Sequence, residues 1–379
     1  MRSNKRKICF VLTAELALKA FLRNHIQLLS SEFEITVVVN TNNKTLLNEL
    51  GLNAQLIPLN ILRKISIFQD LRVLLQLIRL FSTEKYDAVH SVTPKAGLLA
   101  ILAAFLTLRE VRVHTFTGQV WANKSGMPRL LLKCVDKCIS AFSTHVIVDS
   151  PSQRDFLCKE GVVSRQKALV FGIGSIAGVD SQKFKSDSIA RQQIRSTLGF
   201  TEETLLFLFL GRLNPDKGVL DLAKAYIRAK LLGTGLLFVG PDEQDMQKKI
   251  SQLPDFPRSS IRFIDYTKTP EQFMAAADVL CLPSYREGFG TVIIEAASCG
   301  IPAIASRIYG ITDAVAENQT GLLHHAGDVD DICLKMQQIY ADKRLYQSLA
   351  DAARQRAIEH FDSQVITQAW CDFYGKVFT

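Results

Sequence analysis

The segment between Cys281 and Ser306, CLPSYREGFGTVIIEAASCGIPAIAS, restricts the fold more than any other part of the chain. An apolar run over 279–282, closed by Pro283, predicts a buried strand and its end. A polar, glycine-containing turn follows over 284–290. TVIIEAASC then has the apolar spacing of a helix, stopped by Gly300 and Pro302, and AIAS predicts the next strand. A strand–loop–helix–strand order places the loop's N–H groups and the positive end of the helix at the carboxyl edge of a parallel sheet, where open α/β folds bind anionic nucleotides. Two carboxylates bracket the turn. Glu287 lies in the loop with reach over a cleft. Glu295, one turn inside the helix, is expected at the same edge, where a carboxylate suits a pair of ribose hydroxyls. Taken alone, the two read equally well as a loop charge and a solvated helix position.

LLFLFLGRLNPDKG adds a second constraint. A continuous apolar strand over 205–210 ends in Gly211-Arg212, and Lys217-Gly218 precede a helix starting near Val219. Arg212 and Lys217 stand five apart across a turn, so both can converge on one diphosphate, the guanidinium as a fork and the ammonium as a point charge. GLLFVG and IRFIDY predict two further strands. The first half alternates in the same way: KICFVLT, a helix over about 16–29, FEITVVVN, YDAVHSV, EVRVHTF and THVIVDS. Short buried strands alternating with helices predict doubly wound parallel sheets. GIGSIA, 172–177, matches G-x-G-x-x-A, but it follows the last strand of a domain and no clear helix comes after it, so it reads as an interdomain hinge.

At 379 residues the chain is long enough for two domains with their own cores, and 47% hydrophobic with 22% charged residues fits a globular protein. No apolar run reaches the ~20 residues of a membrane span, and the basic start lacks a cleavage site, so no signal peptide is expected. Eight cysteines without C-x2-C pairs fit reduced thiols in a cytosolic enzyme. Asp328 and Asp330 read as helix caps, and no metal site is expected. His324 and His325 read as surface loop residues.

Charge is uneven. Residues 1–180 carry 23 Lys+Arg against 13 Asp+Glu, net +10, whereas 181–379 are net −2. One domain is thus expected to face an anionic surface. Within it, 61–81 is apolar with Arg63, Lys64, Arg72 and Arg79 spaced along it, the pattern of a helix lying in a membrane interface or of a core helix with a basic edge. Trp121, Lys124, Arg129, Lys133 and Lys137 read as an interfacial aromatic with lipid-attracted cations. Nucleic-acid binding is not indicated: no recognised motif is present and stacking aromatics are not interleaved with the basic residues.

SYREGFG-x4-E-x4-G-x-P and GR-x4-KG together resemble retaining glycosyltransferases of family 4, which have the GT-B fold; the likeness is strong over 211–321 and weaker before it. It implies two Rossmann-like domains facing a cleft: 1–180 for the acceptor, 181–358 for a nucleotide-diphosphate sugar, and a C-terminal helix, 359–379, crossing back to the N-domain with Trp370, Phe373 and Tyr374 at helical spacing. It assigns donor-sugar hydroxyls to Glu287, ribose to Glu295, diphosphate to Arg212, Lys217 and the amides of Gly290, Thr291 and Val292, and the base to the loop around Tyr266. No metal or other cofactor is implied. HSVTPKAGLLA and HTFTGQVWA resemble N-domain motifs of enzymes extending lipid-linked sugars, which brings His90, Lys95, Thr117 and Gly118 to the cleft; from the residues themselves His90 reads equally well as a satisfied strand-end histidine, and His114 reads better as one. Where many relatives have His-Gly, this chain has Thr117-Gly118, which can offer only a hydroxyl. Glu15 has two readings, a cleft residue or a first-turn acid complementing the helix dipole.

The expected activity is transfer of a hexosyl or N-acetylhexosaminyl group, from a UDP-sugar by preference, to a polyprenyl-diphosphate-linked saccharide in surface polysaccharide assembly, at the cytoplasmic face of the membrane. A soluble acceptor and a non-catalytic nucleotide-sugar-binding protein are the alternatives.

Overall fold

The computed structural model describes residues 5–62 and 66–378, so Arg63 and Lys64 lie outside the described residues. The chain forms two compact units, Met1–Ala177 with Gln364–Thr379, and Gly178–Ser363. The sequence-based boundary at 358 falls inside a continuous helix, Lys343–Phe361, which belongs to the second unit; the next helix, Ser363–Val377, packs in the first.

In the first unit β1 (Lys7–Leu12), β2 (Glu34–Val39), β3 (Gln55–Pro58), β4 (Ala88–Val92), β5 (Val111–Phe116), β6 (His145–Val148) and β7 (Ala168–Leu169) form one sheet in the order 3-2-1-4-5-6-7. Neighbouring strands run parallel. The two-residue period of β1 sorts its side chains into two cores. Ile8, Phe10 and Leu12 face Leu18, Leu22, Ile26, Trp370 and Tyr374, whereas Cys9 and Val11 face Val73, Leu77, Phe81 and Ala100. Both faces are covered, which is why the strands read as unbroken apolar runs. The helix expected over 16–29 is present but carries a π-helical turn, Leu18–Leu22, between Glu15–Ala17 and Arg23–Leu29.

The second unit holds β8 (Leu205–Leu210), β9 (Thr234–Val239), β10 (Ile261–Ile264), β11 (Val279–Leu282), β12 (Ala303–Ser306) and β13 (Gly321–His324), in the parallel order 10-9-8-11-12-13. Chain order reverses between β8 and β11. The loops that leave those two strands therefore diverge from a topological switch point, the crevice position in open α/β sheets. The helix after β11, Thr291–Ser298, packs through Ala297 on Ala353 and Ala357, and small residues there let the two backbones come close.

Candidate active site at the switch point of the second sheet

The β8 loop turns through a 3₁₀ segment, Pro215–Lys217, into Gly218, whose φ of +64° starts the Val219–Ala229 helix. A β-carbon at Gly218 would overlap the Pro283 carbonyl oxygen at the end of β11. Glycine at this one position lets two strand-end loops meet backbone to backbone. Tyr285 N–H donates to the Asp216 carbonyl at 2.8 Å, and the Tyr285 hydroxyl donates to Asp221 Oδ2 at 2.7 Å. Thus fixed, Lys217 Nζ lies 2.5 Å from Glu287 Oε1, which also accepts from Ser284 Oγ at 2.8 Å. The pair is largely shielded, with side-chain exposures of 20% and 14%.

Gly290, at φ +80° and ψ 52°, ends the loop and precedes Thr291–Ser298, and no side chain caps that helix. Ile293 N–H returns to the Gly290 carbonyl at 2.8 Å. The N–H groups of Thr291 and Val292 precede the first internal bond, so they belong to the donor end of the helix dipole. Lys217 and these amide donors thus lie on loops at one sheet edge.

Glu295 is half-buried in the same helix. Burial pushes its carboxyl up to about 7; the Lys183 ammonium pulls against this and the Glu271 carboxylate adds to it. Lys183 is itself 3.4 Å from Glu271. Arg212 takes a different course from Lys217: it is exposed and paired with Glu243 Oε1 at 2.9 Å, so among the described contacts it does not join the Lys217–Glu287 pair. Tyr266 is exposed on the loop after β10. Sequence reasoning missed Ser284, Asp221, Glu243 and Lys183. Glu243 was the one within reach of inference, since it follows β9, the neighbour of β8.

In the first unit Glu15 accepts from Thr41 Oγ1 at 2.5 Å and pairs with Lys19 one turn on at 3.3 Å. Lys95 pairs with Asp70 at 2.7 Å, tying together the Pro94–Leu106 and Ile67–Glu84 helices. Thr117 and Gly118 lie on the loop after β5 and are brought to none of these by a described contact. Thr13 and Thr93, at the carboxyl ends of β1 and β4, have hydroxyls 3.1 Å apart, and Thr93 holds φ +81°, rare for a β-branched residue.

Three expectations are corrected. His90 is fully enclosed: Nδ1 meets the Tyr374 hydroxyl and Nε2 the Thr115 hydroxyl, both at 2.7 Å, and its ring stacks on Trp370 at 5.0 Å. It is a core histidine of the first unit with no face left for a substrate. Trp121 is not interfacial. It is buried, donates to Asp136 Oδ2 at 2.7 Å and stacks on Phe156, while Arg129 and Lys133 lie over its ring and pair with Glu160. His324 is buried as well; only His325 is a surface residue. Asp328 caps Val329–Ala341 by accepting from the Asp330 and Asp331 N–H groups. His325, Asp328 and Asp331 bring possible ligand atoms within 4.8 Å of one another; there Asp328 Oδ1 accepts the capping N–H groups and Asp331 Oδ2 pairs with His325.

Comparison with known proteins agrees with this geometry. Residues 190–356 match the model "Glycosyl transferases group 1", and residues 21–171 match "Glycosyltransferase Family 4". The capsular polysaccharide biosynthesis glycosyltransferase CapM of Staphylococcus aureus is 28% identical over 93% of both chains. The UDP-Gal:alpha-D-GlcNAc-diphosphoundecaprenol alpha-1,3-galactosyltransferase of Escherichia coli is 29% identical over 75% of this chain and 74% of its own. In structure, Anabaena Alr3699/HepE, solved in complex with UDP, superposes with a TM-score of 0.80 at 21% identity over 98% of this chain and all of its own. WaaG, a glycosyltransferase involved in lipopolysaccharide biosynthesis, superposes with a TM-score of 0.72 at 16% identity over 96% and 98%. With the two family models meeting the two units of a GT-B architecture, the chain belongs to the family 4 glycosyltransferases.

Proposed function

We propose that the protein transfers a hexosyl or N-acetylhexosaminyl group from a UDP-sugar to a polyprenyl-diphosphate-linked saccharide, with retention of anomeric configuration, during assembly of an O-antigen, capsule or exopolysaccharide. The observation that carries the reading is the partly buried Lys217–Glu287 pair beside an uncapped helix start at a switch point. Lys217, Arg212 and the amides of Gly290, Thr291 and Val292 neutralise the leaving diphosphate, the task a metal ion performs elsewhere, so no metal is required. Glu287 holds donor-sugar hydroxyls, Glu295 the ribose, and Tyr266 borders the base. The acceptor hydroxyl attacks the anomeric carbon on the face that the diphosphate leaves. The carbon–phosphate-oxygen bond breaks as the new glycosidic bond forms, and the acceptor's proton passes to the departing phosphate. No separate protein nucleophile and base are needed.

The first unit supplies the acceptor, with Glu15, Lys95, Thr117 and Gly118 as candidates and His90 withdrawn. Its helices Ile67–Glu84 and Gly126–Phe142 flank Pro94–Leu106 on one face of a parallel sheet, so all three begin at its carboxyl edge. At that end the first exposes Ile67 (79%), Phe68 (90%) and Leu71, and the last Met127, Leu130 and Leu131. Arg72, Lys124 and Lys137 are exposed nearby in sequence. Apolar ridges with cations suit peripheral attachment to an anionic bilayer at the cytoplasmic face. No described helix is long and apolar enough to cross a membrane.

Screening UDP- and GDP-sugars for transfer to a synthetic polyprenyl-diphosphate sugar tests the proposal. Transfer with retained configuration is expected, undiminished by EDTA; transfer only to soluble acceptors would move the acceptor reading to the other class.

A further inference from the structure

One arm of the Arg212 guanidinium is already engaged. Its Nη1 donates to both carboxylate oxygens of Glu243, at 2.9 and 3.2 Å, and Asn214 Nδ2 donates to Oε2 at 2.8 Å. The backbone sets this meeting. Beyond the ends of β8 and β9 the parallel pairing continues: Leu213 N–H donates to the Pro241 carbonyl at 2.9 Å and Glu243 N–H to the Leu213 carbonyl at 3.1 Å. The two loops also cross at Gly211 and Gly240, where a β-carbon on Gly240 would overlap the Gly211 carbonyl oxygen. Glu243 is therefore delivered to Arg212 by the sheet and not by a wandering side chain.

Resting on the donor site proposed above, we infer that Glu243 is a resident counter-anion that holds the Arg212 fork in place until a diphosphate displaces it. Both partners are well exposed, with side-chain exposures of 54% and 39%, so the pair itself contributes little stability and is cheap to break. Its effect is on selection. A ligand gains the Nη1 arm of Arg212 only if it brings more negative charge to it than a carboxylate does. A nucleoside diphosphate meets that condition and an uncharged nucleoside does not. Asn214, held by the same carboxylate, is released with it. After transfer the returning carboxylate competes with the departing nucleoside diphosphate and so favours product release. Lys217 is partnered in the same manner by Glu287, but there the proposed reaction itself employs the carboxylate; Glu243 has no other task in it.

The test is titration calorimetry of the full chain and of Glu243→Gln with UDP, GDP and uridine, alongside melting temperatures. Glu243→Gln is expected to bind the preferred diphosphate two- to tenfold more tightly, to bind uridine as the wild type does, and to melt at the same temperature. Glu243→Ala should move affinity in the same direction, and the gain should vanish in an Arg212→Ala background. Unchanged or weakened diphosphate binding by a folded Glu243→Gln, or an equal change for uridine, overturns the inference while leaving the donor site standing. Absence of UDP and GDP binding by the wild type overturns the donor site and this inference with it.

Discussion

Lys217 Nζ and Glu287 Oε1 are 2.5 Å apart although 70 residues separate them in sequence. They belong to the two loops that leave the switch-point strands β8 and β11. The pair sets how the candidate site can be dissected. Glu287→Gln removes a charge but keeps a hydrogen-bonding group of the same shape. It is expected to lower transfer at least a hundredfold while changing UDP affinity less than threefold, as kinetics and calorimetry on one preparation would show.

Gly218 is the backbone counterpart of that pair. Its positive φ and its approach to the Pro283 carbonyl leave no space for a methyl group. Gly218→Ala should cost roughly 1–3 kcal/mol of stability, visible in chemical denaturation, and should weaken UDP binding by displacing Lys217. Unchanged stability and binding would mean that the two loops are not held together there.

The Glu295 carboxyl is raised to about 7 by burial, so its proposed ribose contact is expected to be pH-dependent. Only the ionised form is the strong acceptor for ribose hydroxyls, so UDP affinity should rise as pH climbs through about 7. Stability moves the other way. Between the ordinary glutamate value and about 7 the native chain holds a proton that the unfolded chain has lost, so this group's contribution falls as pH rises. Glu295→Gln should flatten both dependences relative to wild type, measured from pH 6 to 8.

Trp370 lies between two histidine rings, His25 at 4.7 Å and His90 at 5.0 Å, in the core of the first unit. Burial pushes His25 down to about 4, His114 to about 3, and His90 well below the usual range. In the unfolded chain these rings take up protons below about 6.5. Each therefore removes stability as pH falls below that value, with a limiting slope of about 1.4 kcal/mol per pH unit. His90→Phe should shallow the acid limb of a stability–pH curve. It should also lower stability by roughly 1–3 kcal/mol at pH 7.5, because the Tyr374 and Thr115 hydroxyls lose their partner. UDP affinity should not change.

Much of the second unit was legible in the sequence because β8, β9 and β11 are apolar runs that end in Gly or Pro, and because two charged turns follow strands that prove to be neighbours. GR-x4-KG and SYREGFG-x4-E mark Lys217 and Glu287 without revealing that they pair, since contact between loops 70 residues apart depends on which strands adjoin. Arg212 was placed with Lys217 on spacing and on the family resemblance; Glu243 was within reach only as a residue following β9, because the continued backbone pairing that carries it to Arg212 leaves no sequence signature. In the first unit the sequence left His90 undecided, because a strand-end histidine reads the same whether a substrate or a tyrosine from a distant helix meets it; His114, which reads better as a satisfied strand-end residue, is buried as expected. Trp121 misled for a similar reason: flanking cations suggest a lipid interface, whereas here they cover a buried indole.

The two apolar helix starts of the first unit give a separable test of membrane attachment. Phe68→Glu with Leu130→Glu should reduce co-sedimentation with anionic vesicles about tenfold and leave UDP binding and the melting temperature unchanged. Vesicle binding equal to wild type would remove this surface from the account.

The central claim is that the loops after β8 and β11 grip a nucleoside diphosphate through Lys217. Titration calorimetry of UDP and GDP into the wild type and Lys217→Ala tests it most directly. Loss of a charge-assisted contact of ~1.5–3 kcal/mol should weaken binding roughly 10- to 100-fold in the folded variant. Equal affinity for wild type and Lys217→Ala, or no binding of either nucleotide by the wild type, would contradict it.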